Sequence, residues 1–331
     1  MSALLEINDL GVAFRPRDLG GWLRRRAGRG VRAVNGLSLS LERGDSLTIV
    51  GEKGCGKERL VRAMMKLTEI EAGDIHFDGQ SLRGMRGAAL AGFRRRVQLL
   101  PGDPLASLNP RLSIAETLAE PLQVHRLSPK RDLAKHVDFL MDQVGLDPAM
   151  RKLRPAALSA GDCLRVAIAR ALSVGPDLLV ANDPLANLDL SIQAQIINLL
   201  SELHHTLNLT LVFVTHDLRA ASHLCRSAAV MYLGRIVEQG PIEELLKRPR
   251  HPYTQALLAS TPKMRADAPP PVAALTGEPP QAIDLPPGCA FHPRCAKAKA
   301  PCRAGLPPVR RPDGPVTVWC HLYPESAASK R

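Results

Sequence analysis

The sequence predicts an α/β fold: a mostly parallel sheet with helices on both faces, an inserted helical region and an irregular C-terminal extension. Short apolar runs that end at Val50, Ala181 and Thr215 alternate with segments of helical spacing, as in parallel sheets whose strands are buried on both faces. A glycine-rich loop at residues 51–57 joins the first run to a helical segment. From about residue 266 the composition shifts to proline, which indicates a linker or irregular extension.

Each predicted core strand is a short run of mainly apolar residues. The runs are DSLTIV at 45–50, DLLVA at 177–181 and LTLVFVT at 209–215. The segment RLVRAMMKL, which follows the glycine-rich loop, has apolar residues at helical spacing, so the order strand, loop, helix is predicted. Residues from about 88 to 165 are rich in Arg, Leu and Ala at helical spacing and predict an inserted helical subdomain.

Composition narrows the class of partner. The 331-residue chain carries a formal net charge of +12, so its surface favours an acidic partner. Aromatic residues make up only 3% of the chain, and it has no helix-turn-helix or zinc-finger spacing, so nucleic acid is disfavoured. We interpret the seven arginines between residues 15 and 32 as a solvated basic loop, with a lipid-facing patch as the alternative. No run reaches the ~18 apolar residues that a membrane-spanning helix needs.

The glycine-rich loop has the pattern of a phosphate-binding loop. In a strand, loop and helix arrangement, backbone N–H groups and the helix N-terminus point at a bound anion, and a lysine reaches its terminal phosphates. The residues of this loop that we expect to bind nucleotide are Gly51, Glu52, Lys53, Gly54, Cys55, Gly56, Lys57 and Glu58.

Together with the motifs that follow it, this loop resembles the ATP-binding subunits of ABC transporters, in particular the branch that imports peptides and nickel. The resemblance covers nearly the whole chain. The tail of that branch is similar to PRHPYTQALL at 249–258. The other motifs stand in the family's order: GEKGCGK in the Walker A position, DPLASLNPR at 103–111, LSAGD at 158–162, LLVANDP in the Walker B position, ANLD at 186–189, and VTHD.

The resemblance implies the architecture in more detail. It assigns residues 1–87 and 166–245 to a RecA-like P-loop core that includes an antiparallel β subdomain. Residues 88–165 become a helical subdomain with the signature motif, and residues 246–331 a C-terminal extension of the peptide-importer type. ATP with Mg²⁺ is the implied cofactor.

The resemblance also implies roles for single residues. Asp183 and His216 stand at the positions of the catalytic carboxylate, which polarises the attacking water, and of the switch histidine. Ser159 and Gly161 belong to the signature that contacts a γ-phosphate in the partner's site. Phe14 stands where the family places a ring that stacks on adenine, with a place in the core as the alternative.

Several of the residues that do the chemistry differ from the family pattern. Glu58 replaces the hydroxyl residue that ligates Mg²⁺, and Asn182-Asp183 stands where the family has Asp-Glu before Pro184. Asn182 removes a negative charge, and Asp183 is one methylene shorter than Glu, so a general base is drawn back from its water. We therefore predict weak nucleotide binding with little or no turnover.

The motifs that serve a neighbouring subunit are altered as well. Gly102 replaces the glutamine of the Q-loop, and in the signature Ala160 and Asp162 replace a glycine and a glutamine. Because ABC domains pair head to tail, two copies of this chain would form two impaired sites. The resemblance therefore predicts a heterodimer with a more intact paralogue.

A further hypothesis concerns how Mg²⁺ is held. Glu58 supplies the carboxylate that Asn182 lost, so Mg²⁺ is held from the P-loop side and Lys53 offsets the added charge. Repulsion between this carboxylate and phosphate opposes the arrangement.

Four of the seven cysteines are clustered near the C-terminal end. Clustered cysteines in a reducing compartment favour a metal over disulfides. The resemblance implies a [4Fe–4S] cluster in the extension, with structural zinc as the alternative. The predicted ligands are Cys289, Cys295, Cys302 and Cys320.

These inferences predict an ATP-binding subunit of a peptide-type importer, bound peripherally at the cytoplasmic face of the membrane. Its implied partners are a paralogous ATP-binding subunit, two transmembrane permease subunits and, indirectly, an extracytoplasmic substrate-binding protein. The alternative is a catalytically inactive regulatory or scaffolding subunit, which the altered Walker B favours. A nucleic-acid-linked ABC ATPase is disfavoured by the HPYT tail.

Overall fold

The computed structural model describes residues 3–14, 31–260, 285–312 and 314–324, which form a mixed α/β structure. Most of the arginine-rich segment and most of the proline-rich segment lie outside these residues. The strands are β1 Ala3–Phe14, β2 Val31–Glu42, β3 Ser46–Val50, β4 Ala72–Phe77, β5 Gln80–Ser81, β6 Val97–Leu100, β7 Leu178–Asn182, β8 Thr210–Thr215, β9 Ser227–Tyr232, β10 Arg235–Pro241, β11 Val309–Arg310 and β12 Thr317–Trp319.

The helices of the described residues are mostly short. They are α1 Lys57–Met64, α2 Gly87–Arg96, α3 Pro104–Ser107, α4 Ile114–Val124, α5 Leu133–Gln143, α6 Ala160–Leu172, α7 Leu190–Thr206, α8 Leu218–Ala221, α9 Ile242–Lys247, α10 Pro252–Ser260 and α11 Ala300–Ala304. None of them is long and apolar enough to cross a membrane.

The chain forms two compact units. The first is built from described residues within Met1–Leu41, Leu47–Arg83 and His216–Arg331. It holds a sheet in the order β2-β1-β4-β5, in which β4 runs antiparallel to both of its neighbours. It also holds the strands β11-β12-β10-β9-β3, where only β3 and β9 are parallel. The antiparallel strands predicted for the core are therefore present.

The second unit comprises Glu42–Ser46 and Gly84–Thr215. Its strands β6, β7 and β8 pair in parallel, and its helices α2 to α7 come from the same stretch of chain. Strand β8 is buried along its whole length, which explains its continuous apolar sequence. The predicted strands at 45–50, 177–181 and 209–215 are confirmed to within one residue. The three-part division of the chain stays a prediction.

One strand arises inside the segment with helical spacing. Residues 97–100 form β6 beside β7. A four-residue apolar run that directly follows a helix cannot be told from the end of that helix by its periodicity. Pairing with β7, which is a tertiary contact, decides that this run is a strand and not the end of the helix.

A buried carboxylate anchors the helix of the HPYT motif to the sheet of the first unit. The backbone N–H groups of Arg250 and His251 donate to the two carboxylate oxygens of Glu238 at 2.7 and 2.9 Å. Glu238 is fully buried on β10, and burial raises the pKa of its carboxyl. This carboxylate satisfies backbone groups just before α10, which are otherwise left without partners.

His251 lies in the same buried environment and is kept neutral. Burial lowers the pKa of its imidazole to about 3, and its Nδ1 accepts the backbone N–H of Tyr253 at 3.0 Å. Protonation of Nδ1 would place two donors against each other. Between pH 6.5, the ordinary value for histidine, and pH 3, only the unfolded chain binds this proton, so stability falls as the pH drops.

This linkage predicts a pH-dependent stability. From neutral pH to about pH 5, the free energy of unfolding should fall by about 2 kcal/mol through His251 alone. His251→Asn retains an acceptor for the Tyr253 N–H but does not titrate, so its profile should be flatter by that amount. Urea unfolding at several pH values measures the difference. Glu238 contributes with the opposite sign, since its raised pKa lowers stability as pH rises above about 4.5, but it is common to both proteins.

The matched control is His205→Asn, at an exposed histidine, which should leave the profile as steep as that of the parent. An equally steep profile in His251→Asn would show that His251 is not the titrating group.

Candidate functional site

The phosphate-binding loop follows the fully buried strand β3 and precedes α1, as the sequence predicts. Lys57 is the first residue of α1. Its ammonium group donates to the backbone oxygens of Gly51 and Glu52, the latter at 3.0 Å, and lies 3.5 Å from the sulfur of Cys55. The lysine therefore folds back along the loop, and its charge lies beside the backbone that would surround a phosphate.

Two glycines are required by close approach of other backbone segments. A Cβ on Gly51 would lie 2.1 Å from the carbonyl oxygen of Met231, and a Cβ on Gly56 would lie 2.0 Å from that of Ala33. Gly56 also has φ of 108°, a conformation that L residues rarely adopt. Gly54 has positive φ too, but a Cβ there would meet open space. The loop path thus depends on Gly51 and Gly56.

The remaining loop residues differ in exposure. Lys53, Gly54 and Glu58 are exposed, whereas Cys55 is buried. Burial raises the pKa of the Cys55 thiol, so this residue stays a neutral thiol that packs under the loop. Glu58 lies in the first turn of α1, where a carboxylate interacts favourably with the helix dipole.

His216 is exposed and directly follows β8 in the sequence. The next residue, Asp217, caps α8: its carboxylate accepts the backbone N–H groups of Arg219 and Ala220 at 2.8 and 3.3 Å. The cap holds the chain just after His216. Phe14 is the last residue of β1, and its side chain lies outside the described part of the structure, so the adenine-stacking role stays a prediction.

In the second unit, β7 ends at the predicted metal position. Asn182 is its last residue, and Asp183 has φ of 51°, a conformation that aspartate tolerates better than most residues. The Asp183 N–H donates to the carbonyl oxygen of Val214 at 2.7 Å. This bond ties the turn after β7 to β8.

Gly102 lies against this turn. A Cβ on Gly102 would lie 2.8 Å from the carbonyl oxygen of Asn182 and 3.4 Å from that of Asp183. The replacement of the Q-loop glutamine is therefore more than the loss of an amide, since any side chain here meets backbone. The sequence marked Gly102 as a departure but gave no signal of this contact.

The signature serine is engaged within its own unit. Ser159 is the N-cap of α6: its hydroxyl accepts the backbone N–H of Asp162 at 3.1 Å and donates to the Asp162 carboxylate at 2.6 Å. Gly161 is buried, and a Cβ there would lie 3.0 Å from Ile192. Asp162 thus places a negative charge beside the hydroxyl that was predicted to meet a phosphate.

The four clustered cysteines are free, and three of them are buried. Burial raises the pKa of Cys320 to about 11, and negative charge on the other three cysteines raises it as well. The four cysteines therefore lie close enough to interact electrostatically. Even so, no group of three or more His, Cys, Asp or Glu side chains among the described residues could hold a metal ion. The geometry therefore does not support the predicted [4Fe–4S] cluster or the zinc alternative.

Two residues outside the predicted site contact the phosphate-binding loop. Arg294 forms a salt bridge with Glu52, and the hydroxyl of Tyr253 accepts the Glu52 backbone N–H at 2.8 Å. Tyr253 belongs to the segment at 249–258, and Arg294 lies between the predicted ligands Cys289 and Cys295. Neither segment carries a signal that would pair it with a loop some 200 residues away.

Comparison with known proteins identifies the family. Residues 34–186 match the ABC transporter family, and residues 237–302 match the oligopeptide/dipeptide transporter C-terminal region. The chain is 40% identical to the probable peptide ABC transporter ATP-binding protein y4tS of Sinorhizobium fredii, over 99% of this chain and 92% of the relative. It is 39% identical to the oligopeptide transport ATP-binding protein AppF of Bacillus subtilis, over 97% of both chains.

Solved structures show the same fold. CbiO1 of Clostridium perfringens, part of the ABC transporter complex CbiONQ, matches with a TM-score of 0.65 at 25% identity, over 75% of this chain and 92% of that protein. The ATP-binding cassette MJ0796, a dimer with ADP and Pi, matches with a TM-score of 0.63 at 21% identity, over 72% and 98%. The chain belongs to the ABC transporter ATP-binding family, in the group with an oligopeptide/dipeptide transporter C-terminal region.

We predict opposite effects on stability for alanine substitutions at Gly102 and at Gly92. Gly102→Ala should destabilise the protein by about 1–3 kcal/mol, because the added methyl meets backbone that cannot move aside without cost. Gly92→Ala, inside α2 and with open space around its Cβ position, should stabilise it by about 1 kcal/mol. Urea unfolding measures both, and a neutral Gly102→Ala would contradict the steric argument.

Proposed function

We propose that this chain is the ATP-binding subunit of a peptide-type ABC importer, bound peripherally at the cytoplasmic face of the membrane. The observation that carries the proposal is the match to peptide-transport ATP-binding relatives over nearly the whole chain, including the C-terminal region at 237–302. On this proposal its partners are two transmembrane permease subunits and, through them, an extracytoplasmic substrate-binding protein. Nucleic acid is not a partner.

The phosphate-binding loop suits ATP with Mg²⁺. Gly51 and Gly56 allow the loop to follow its close path against neighbouring backbone, and Lys57 already bends along it. When a nucleotide binds, we expect the loop amides and Lys57 to hold its terminal phosphates. Mg²⁺, when bound with it, would neutralise charge that develops on those phosphates during transfer.

Hydrolysis at this chain's own Walker motifs is proposed to be slow. Asn182 carries no charge with which to orient a metal-bound water. Asp183 is shorter than glutamate and therefore a poorer base for that water. Phosphoryl transfer depends on positioning and on charge stabilisation, so the loss of both should have a large effect.

The contact between Ser159 and Asp162 supports pairing with a different subunit. The hydroxyl that would serve the partner's phosphate is bonded to a carboxylate of its own helix, and that carboxylate would repel phosphate. Two copies of this chain would repeat the defect in both sites. We therefore propose a heterodimer with a paralogue whose own Walker motifs are more intact.

The second candidate function is a regulatory or scaffolding subunit that binds nucleotide weakly and does not turn it over. Asn182, Asp183 and the engaged Ser159 favour it. The two functions share a fold and partners, and they differ in whether this chain hydrolyses ATP.

Single-turnover kinetics separates the two functions. The purified chain should bind ATP and hydrolyse it slowly if it is the importer subunit, and bind ATP without hydrolysis if it is the regulatory subunit. In either case the triple revertant Asn182→Asp, Asp183→Glu, Glu58→Thr should hydrolyse ATP at least about 100-fold faster than the unaltered chain, in line with the effect of a positioned general base. The revertant retains Gly102 because a side chain there meets the turn after β7.

Hydrolysis by the unaltered chain at the revertant's rate would contradict the proposed defect. Failure of the chain to bind ATP would exclude both functions that depend on nucleotide.

The proposed metal role of Glu58 has its own test. If its carboxylate helps to hold Mg²⁺, then Glu58→Gln should weaken Mg²⁺-dependent ATP affinity by about tenfold and leave Mg²⁺-free affinity unchanged or improved, since one repulsive charge is lost. Equilibrium titration with and without Mg²⁺ measures both. Lys53→Gln is the companion variant because Lys53 is the exposed cation of the same loop. Equal Mg²⁺ dependence in Glu58→Gln and the parent would end the hypothesis.

A further inference from the structure

The C-terminal extension makes a two-pronged salt bridge to the phosphate-binding loop. The Nη1 and Nη2 atoms of Arg294 donate to the two carboxylate oxygens of Glu52 at 2.7 and 3.1 Å. The side chain of Arg294 is only 5% exposed and that of Glu52 22%. A pair with this geometry and burial holds both partners in place, and loss of Arg294 leaves the half-buried carboxylate of Glu52 without this counter-charge.

A second contact fixes the backbone of the same loop residue. The N–H of Glu52 donates to the hydroxyl of Tyr253 at 2.8 Å. Tyr253 is fully buried among aromatic rings: its ring centre lies 4.6 Å from that of Tyr232 and 5.4 Å from that of Phe291. The hydroxyl therefore cannot follow a moving loop, because the ring that carries it is packed on several sides.

The contacting residues come from two segments that lie between β10 and β11 in the sequence. Tyr253 is in α10, and Phe291 and Arg294 precede Cys295. Arg294 also lies against Tyr232, with Nη1 3.4 Å from the Tyr232 hydroxyl. One rigid cluster thus holds the side chain and the backbone of Glu52 together.

The electrostatic consequence concerns anion binding. Glu52 is the second residue of a loop that binds phosphate through backbone N–H groups, and a free carboxylate there would oppose a polyanion. The guanidinium of Arg294 neutralises that carboxylate and turns it toward the extension. Preorganisation of the loop also lowers the conformational entropy that nucleotide binding must remove.

We propose that Arg294 and Tyr253 are positioning residues through which the C-terminal extension holds the phosphate-binding loop in its nucleotide-binding conformation. The effect on ATP affinity rests on the proposed nucleotide-binding function. The coupling between the extension and the loop rests on the contacts of Arg294 and Tyr253 with Glu52. The extension is on this view a part of the nucleotide site, acting through Glu52.

Two measurements on the full chain test the coupling. Hydrogen exchange of the peptide that contains residues 51–57, without nucleotide, should be about tenfold faster in Arg294→Gln and in Tyr253→Phe than in the parent. ATP affinity should fall by about tenfold in Arg294→Gln, and Arg294→Lys should be intermediate, since it retains the charge but loses the two-pronged geometry.

A double-mutant cycle separates positioning from general destabilisation. Glu52→Gln combined with Arg294→Gln removes both charges and should bind ATP no more weakly than Arg294→Gln alone, because no carboxylate is left unpaired at the loop. A merely structural role of Arg294 would give losses that add. Arg303→Gln, at an exposed arginine of the same extension, is the matched control and should change neither measurement.

The outcomes decide the coupling and the proposed function separately. Unchanged exchange at residues 51–57 in Arg294→Gln and Tyr253→Phe would overturn the coupling, whatever the ATP affinity. Additive losses in the double-mutant cycle would overturn the charge argument. A parent chain that binds no ATP would refute the proposed function, and the exchange measurement would still decide whether the extension holds the loop. If Arg294→Gln does not fold, Arg294→Lys and the double variant supply the same comparison.

Discussion

The phosphate-binding loop is confined by backbone on two sides, and the architecture of the first unit depends on that confinement. Carbonyl oxygens of Met231 and Ala33 approach Gly51 and Gly56 so closely that no Cβ fits at either position. A third contact, the N–H of Gly234 on the carbonyl oxygen of Cys55 at 2.8 Å, completes the support. Strand β9, the turn after it and the start of β2 are therefore placed by the same loop that is proposed to receive the phosphates.

The altered site residues make local contacts of their own. Asp162 does not merely replace a glutamine, since it shares a hydrogen bond with Ser159 at the start of α6. Gly102 does not merely lack an amide, since its backbone takes up space beside Asn182. Each altered residue thus takes part in contacts of its own, so a substitution toward the family pattern also changes these contacts.

Two segments of the C-terminal extension that are separate in the sequence contribute to one aromatic cluster. Its HPYT motif supplies Tyr253, and the segment GCAFHPRC at 288–295 supplies Phe291 and Arg294 to the same aromatic cluster. The cysteines within and after that second segment keep free thiols and form no metal-binding group among the described residues. The cluster of rings and the ion pair to Glu52 pack this segment against the phosphate-binding loop within the first unit.

The sequence by itself determined the α/β class, the core strands and the identity of the motifs, because apolar runs and a glycine-rich loop before a helix are local patterns. It could not place β6, whose state depends on pairing with β7, nor show that Gly102 is sterically required. It also could not join Glu52 to Arg294, which lie 242 residues apart. Contacts between distant segments follow from how strands and rings pack in three dimensions, and no pattern within either segment encodes them.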